Sequence, residues 1–244
     1  NVKLFLIDNS PTDILKCLVN DRRIEYIFMN SNKGFGAAHN VVLKNSFNIS
    51  KYHLVLNPDI YFNQGVLEEL FNFMESKSNV GLIMTKILYP DGRTQYLAKL
   101  LPSPADWIGR FFIPIKKWKE KRNYKFELQF TGYNNIMDVP YLSGCFMLLK
   151  TDTIKKIGIF DEGIFMYGED TDLSRRIHLK YRTVFYPQVY VYHEFHKGSH
   201  KSLRLFWIHA KAAIYYFNKW GWFFDKERNQ INIETLEKLN FNNK

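Results

Sequence analysis

The chain has 244 residues, 46% of them hydrophobic, and carries 34 basic against 24 acidic side chains, a net charge of +10. That length holds one large domain or a domain with an appendage, and that hydrophobic content excludes a chain disordered throughout. No apolar run of roughly eighteen residues is present, which excludes a spanning helix, and no signal peptide is visible; the positive surplus points to an anionic partner, whether nucleic acid, an acidic membrane surface or a phosphorylated substrate.

VKLFLID (Val2 to Asp8) reads as a short buried strand that runs into turn chemistry at NSPTD. Thr12 to Asn20 has helical spacing, with Ile14, Leu15 and Leu18 apolar. IEYIFMN reads as a second strand, and NKGFGAAHNVVLKNSF as a glycine-containing turn followed by a helix from about Ala37. YHLVLNPDI is a third strand with a polar end. Val66 to Ser76 is a helix with Leu67, Leu70, Phe71 and Met74 on one face, and VGLIMTKILY is a fourth strand closed by the turn PDG. Strands alternating with helices predict an α/β sheet covered on both faces. In such sheets ligands sit at the carboxyl ends of strands, where Asp8 and Asn57-Pro58-Asp59 fall.

From Ala98 to Asn135 the periodicity dissolves. KKWKEKRNYK (Lys116 to Lys125) holds six basic residues and one acid, and the whole segment reads as a mobile loop or insertion. VPYLSGCFMLLK restores strand character, a helix follows within FMYGEDTDLSRRI, and YRTVFYPQVYVYHEF alternates like a strand. Ser202 to Phe224 is a final helix rich in Trp, Phe, Tyr and Lys, and the tail from Asp225 is polar and loosely held. The expected division is a domain over 1–200 and a C-terminal helix and tail over 201–244. Cys17 and Cys145 lie in apolar surroundings without a CxxC partner, which reads as reduced core thiols in a cytosolic compartment.

FMYGEDTDLSRRI admits two readings. Glu169, Asp170 and Asp172 suit the positive end of a helix, and Arg175 and Arg176 its negative end. Alternatively, one carboxylate is a catalytic base. Asp59, with Asn57 two before it, offers oxygen to Mg²⁺ or Mn²⁺ or forms an ordinary Asn-Pro-Asp turn. Asp8 accepts a hydrogen bond from a nucleobase or caps the following helix. His193 ligates a metal or serves structure. His196 and His200 are four apart without a helical pattern and make no zinc site. NKGFGAAHN lacks the P-loop pattern, no GxSxG occurs, and no zinc-finger or helix-turn-helix signature accompanies the charge.

Seven stretches in order, LIDNSPTD, NKGFGAAHN, LNPD, the PDG turn, LSGCFMLLK, FDEGIFMYGEDTDLSRRI and VYHEFHKGS, resemble family 2 glycosyltransferases, especially the rhamnosyltransferase-like branch that builds bacterial surface polysaccharides. The resemblance covers about Leu4 to His200. It implies a GT-A fold with a mixed, mostly parallel sheet and helices on both faces. It implies inverting transfer of a sugar from a dTDP- or UDP-linked donor to a hydroxyl of a glycan or lipid-linked acceptor. It makes Asp170 the general base with Glu169 beside it, Asp8 the reader of uracil or thymine, Asp59 the metal-binding aspartate, and His193 the later histidine that holds metal or diphosphate. Ser143 and Gly144 then shape the sugar pocket, and Ser10, Lys33, Asn40 and Asn57 complete the donor-binding set, with Mg²⁺ or Mn²⁺ as cofactor. The implied location is cytoplasmic, at the inner face of the cell membrane, which the aromatic last helix and the basic Lys116–Lys125 segment would suit; no nucleic acid is expected.

The chain departs from the family in two places. Asn57 replaces the first carboxylate of a DxD-type motif, and the opening strand of the type VSIIIVTYN is missing, which predicts an exposed sheet edge and a weakened nucleotide site. The donor sugar stays open among dTDP-rhamnose, UDP-glucose, UDP-galactose and their N-acetyl forms. The competing readings are a non-catalytic, basic nucleic-acid- or membrane-binding protein and an inactive transferase fragment.

Overall fold

The computed structural model describes residues 2–47, 49–107, 116–194 and 203–241. The two N-terminal apolar runs become parallel strands β1 (Leu4–Asp8) and β2 (Ile24–Phe28), with Leu4 opposite Ile24 and Asp8 opposite Phe28. They form a two-stranded sheet of their own. The connection expected to be a helix over Thr12 to Asn20 is only a 3-10 turn, Ile14–Leu18, that buries no side chain. Ile14 is 73% exposed there. The spacing supplies an apolar face, but no neighbour packs on it, and short helices draw their stability from such packing. Cys17 lies in this turn and is exposed, unlike the buried Cys145, which corrects its reading as a core thiol.

The larger sheet runs in the order β3 (Tyr52–Leu56), β9 (Phe146–Lys150), β5 (Val80–Leu88), β10 (Arg182–His193) and β4 (Ile60–Tyr61), and β7 (Met137–Asp138) also pairs with β10. Its directions are mixed. β5 and β10 are parallel, whereas β3–β9, β5–β9, β4–β10 and β7–β10 are antiparallel. The expected predominance of parallel pairing fails inside this sheet because β9 enters from a tight turn, without a crossover helix, and separates β3 from β5. Among the described residues β1 pairs only with β2 and β3 only with β9, so each leaves one backbone edge unpaired. Helix α1 (Phe35–Ser46) touches both β1 and β3.

Helices α2 (Val66–Ser76), α5 (Thr151–Ile157) and α6 (Glu169–His178) cover the larger sheet. Its core is apolar and closed: Val55, Leu82, Leu149, Phe146 and Phe185 have no exposed surface. A small sheet of β6 (Ala98–Lys99) and β8 (Tyr141–Leu142) flanks it. Between these strands lie α3 (Pro104–Trp107) and α4 (Lys116–Phe126). The basic stretch read as a loop is therefore a helix. It forms without apolar spacing because propensity and its ends hold it: Lys, Arg and Glu are good helix formers, Arg122 pairs with Asp106 at 2.6 Å, and Phe126 is buried.

A second apolar cluster joins Trp107 to Ala213, Tyr216 and Phe217 of α7 (Leu203–Trp220). The tail read as loosely held forms α8 (Lys226–Lys238), capped by Asp225, whose carboxylate accepts the Arg228 N–H at 2.9 Å. Among the described residues no helix is long and apolar enough to cross a membrane.

Candidate active site

One turn, Ser143–Cys145 between β8 and β9, connects the two acidic motifs. On one side the Asn57 N–H donates to the Cys145 carbonyl at 3.0 Å. On the other the Gly144 N–H donates to Asp170 Oδ2 at 2.9 Å. Burial pushes the Cys145 thiol up to about 12, and the charges of Asp170 and Asp59 push the same way. The thiol stays protonated and chemically quiet between the two carboxylates.

Asp170 sits at the positive end of α6. Its Oδ1 accepts the Thr171 N–H at 2.8 Å, and the Tyr141 hydroxyl lies 3.5 Å from Oδ2. Burial raises it above the ordinary carboxylate range, against the Gly144 and Thr171 N–H groups and the charge of Lys99, which favour the ionised form. Glu169 is pushed up to about 8, first by burial and then by the charge of Asp170. Its Oε2 is buried and receives no hydrogen bond among the described residues. Adjacent and buried, the two acids resist ionising together.

The approach to α6 is pinned. Tyr167 and Gly168 both have positive φ, 69° and 120°. A Cβ at Gly168 would lie 2.4 Å from the Trp107 ring, so only glycine lets Trp107 pack under the turn. The Tyr167 ring stacks on His209 with centroids 3.5 Å apart. Gly34, at φ 96°, lets the start of α1 meet the same loop: Phe35 N–H donates to the Phe165 carbonyl at 3.0 Å, and a Cβ on Gly34 would lie 2.3 Å from that oxygen.

Asp59 follows β3, and His193 ends β10. The Ile60–His193 register brings them together, with His193 Nε2 3.2 Å from Asp59 Oδ1. His193 is 4% exposed, and burial holds its imidazole below the usual pKa despite the neighbouring Asp59. Asp59 Oδ1 is itself buried and receives no hydrogen bond among the described residues. A carboxylate oxygen and an imidazole nitrogen that close could supply two ligands to a divalent cation. Among the described residues no group of three His, Cys, Asp or Glu side chains forms a complete cage. The pair fits an ion that takes its other ligands from water and phosphate.

At the end of β1, Asp8 Oδ1 accepts the Ser10 N–H at 2.9 Å and Oδ2 accepts the Tyr26 hydroxyl at 2.7 Å. Hydrogen bonds from Ser10 and Tyr26 hold its carboxyl below the usual range. Lys33 is exposed in the turn before α1. Asn40 is the correction here. It has no exposed surface, its amide donates to the Phe160 carbonyl and to Glu162, and its oxygen accepts the Phe160 N–H. It ties α1 to the 160s loop and turns no polar atom toward a donor. His196 and His200 lie outside the described residues.

Three neighbours escape a linear reading. Lys99 and Tyr141 face Asp170 because β6 pairs with β8, placing Lys99 opposite Tyr141. Gln95 lies under His193, with Oε1 3.0 Å from Nδ1. Only the PDG turn before Gln95 hinted at a chain return. Behind the site, Arg175 is bidentate to Asp225 at 2.6 and 2.8 Å, and Asp172 accepts Arg176, Lys219 and Trp220, all at 2.8 Å.

The model of the family described as "Glycosyl transferase family 2" matches residues 1–158. The chain belongs to glycosyl transferase family 2. Rhamnosyltransferase WbbL of Escherichia coli (strain K12) is 27% identical over 230 residues, covering 88% of this chain and 81% of that protein. The N-acetylglucosaminyl-diphospho-decaprenol L-rhamnosyltransferase of Mycobacterium tuberculosis is 25% identical, covering 79% of this chain and 66% of that one. The low-salt glycan biosynthesis hexosyltransferase Agl10 of Haloferax volcanii is 25% identical, covering 70% and 52%. The chain thus spans about half to two thirds of the latter two. Two solved structures share the fold: GalNAc-T7 with UDP, GalNAc and Mn²⁺ (TM-score 0.59, 12% identity, 81% of this chain and 38% of that one), and S. aureus TarS 1–349 with UDP (TM-score 0.55, 16% identity, 97% and 62%). This family 2 glycosyltransferase has the GT-A fold.

Proposed function

We propose that this chain transfers a sugar, with inversion, from a dTDP- or UDP-linked donor to a hydroxyl of a lipid-linked glycan in surface-polysaccharide synthesis. The observation that carries the reading is the Ser143–Cys145 turn, hydrogen-bonded to Asn57 on one side and to Asp170 on the other. It brings a carboxylate of raised pKa beside a half-built cation site. The acceptor oxygen attacks the anomeric carbon as Asp170 takes its proton. The bond from that carbon to the diphosphate breaks, and the electron pair leaves with the nucleotide. Proton removal of this kind contributes roughly 10²–10⁴-fold. Asp59 and His193 would hold Mg²⁺ or Mn²⁺, which when bound neutralises charge on the leaving diphosphate. Asp8, ionised by its Ser10 and Tyr26 contacts, would accept from the N–H of uracil or thymine.

The relatives' names support rhamnose as the sugar and a diphospholipid as the acceptor. A cavity of about 560 Å³ lined by Phe165, Arg204, Trp207, Ile208 and Lys211 offers two cations and an apolar wall for such a molecule. Leu203, Trp207, Phe223 and Phe224, exposed by 62% or more, suit contact with the membrane that carries it.

The test is transfer from dTDP-rhamnose and the UDP-sugars to a short-chain prenyl-diphosphate glycan, with Mn²⁺ or EDTA and with Asp170→Asn as control. Turnover with one donor, lost in the variant, supports the reading. Nucleotide binding without transfer to any such acceptor would overturn it.

A further inference from the structure

The PDG turn folds the chain back along β5. Gly92 N–H donates to the Tyr89 carbonyl at 2.9 Å, Tyr89 N–H to the Arg93 carbonyl at 2.8 Å, and Gln95 N–H to the Ile87 carbonyl at 2.8 Å. Gln95 is thereby turned inward and is 4% exposed. Its Nε2 donates to the His193 carbonyl at 2.9 Å and approaches the Leu88 carbonyl at 3.4 Å. Both are carbonyl oxygens, which only accept. Rotating the amide by half a turn would set oxygen against oxygen at both, so its orientation is fixed. Oε1 must then face His193 Nδ1, 3.0 Å away. An amide oxygen also only accepts, so Nδ1 carries the ring proton. In the neutral imidazole Nε2 then carries the lone pair, 3.2 Å from Asp59 Oδ1.

We propose that Gln95 is a positioning residue that fixes His193 as the Nδ1–H tautomer and so presents Nε2, beside Asp59, as a ligand atom for one divalent cation. This rests on the metal reading under Proposed function. The opposite tautomer would place a proton on Nε2, which would donate to Asp59 and tie the two ligand atoms to each other. Gln95 excludes that state, much as an outer partner orients many metal-binding histidines.

Two measurements on the full chain decide it. The first is the ¹⁵N pattern of the His193 ring in metal-free protein. Wild type is expected to show Nδ1–H and Gln95→Leu to shift toward Nε2–H. The second is Mn²⁺ affinity, read from the electron spin resonance of free Mn²⁺ in the presence of UDP. Gln95→Leu is expected to bind roughly 10–100-fold more weakly. Gln95→Met puts a thioether, at most a weak acceptor, opposite Nδ1, so it is expected to repeat the leucine result and serves if the leucine variant folds poorly. Equal Mn²⁺ affinity in wild type and Gln95→Leu, or an Nε2–H ring in wild type, would overturn the proposal alone. Absence of Mn²⁺ binding in wild type, with the ring as expected, would instead sink the metal reading and the proposal's purpose with it.

Discussion

The first turn of α6 and the turns behind it both bury charge, and they handle it in opposite ways. At the front, Glu169 and Asp170 are adjacent acids, and burial raises both. At the back, burial alone would raise Asp225, but the hydrogen bonds from Arg175 and the Arg228 N–H, with the charges of both arginines, together outweigh it and hold its carboxyl below the usual range. Arg175 is 1% exposed, lies over the Trp220 ring at 4.0 Å and also reaches Glu227. The rear network is matched, acid to base, and anchors α7 and α8. The front is left electrostatically costly, as suits the proton acceptor proposed for Asp170.

The comparison breaks first at Asp170. Asp170→Asn keeps the shape and removes the proposed base, but its amide nitrogen only donates and must face the Gly144 or the Thr171 N–H, so one of those two hydrogen bonds is lost. Turnover is expected to fall roughly 10²–10⁴-fold, with the fold retained, because relief of a buried ionisable group offsets the one hydrogen bond lost. A variant that loses its fold together with its activity would put Asp170 in the structural group. Next comes Asp225→Ala, which among the described residues leaves the buried Arg175 with the half-exposed Glu227 as its one acidic partner. Breaking a buried pair costs about 3–5 kcal/mol, to be read from chemical denaturation. A loss under about 1 kcal/mol, the range of exposed pairs, would mean that the rear network anchors nothing.

These two residues also mark what the linear sequence reveals. The charge pattern of α6 was legible because its acids and bases are neighbours in sequence and sit where the helix dipole favours them; that stretch alone left capping and catalysis both open, and only the family resemblance singled out Asp170. The role of Arg175 was not legible as more than a dipole partner, because Asp225 lies fifty residues on, in a stretch whose polar composition read as a loose tail. The same holds for Gln95, Lys99 and Tyr141, which short strand pairings bring to the site. Strands β3, β5 and β10 were plain from their apolar runs. The reversal of β9 was not, since a run of buried residues carries no direction. Ile14, Leu15 and Leu18 show the converse: spacing proposes a helix face, and only packing makes one.

Within the rear network, Trp220→Phe removes one donor to Asp172 and keeps the ring under Arg175. Arg176 and Lys219 still reach the carboxylate. The expected loss is about 1 kcal/mol, at the low end for a buried acceptor deprived of one hydrogen bond. A loss as large as that of Asp225→Ala would show that the indole N–H, and not the ion pairs, organises the back of the helix.

The smallest effect, and the sharpest about the front, belongs to Glu169→Gln. Glu169 titrates near 8 in the fold and near an ordinary glutamate value of about 4.3 in the unfolded chain. Its folded-state pKa is raised, so its contribution is fully present below about pH 4. It is lost as pH climbs toward 8, because the unfolded state releases a proton that the fold retains. The glutamine mimics the protonated acid. At pH 5 the two proteins are expected to unfold within about 1 kcal/mol of each other, and between pH 5 and 9 wild type is expected to fall away while the variant stays flatter. Denaturation at several pH values measures both. Parallel curves would mean that Glu169 ionises normally. Asp170 would then work beside a second negative charge, and a shared proton would no longer explain how two adjacent buried acids coexist at the end of one helix.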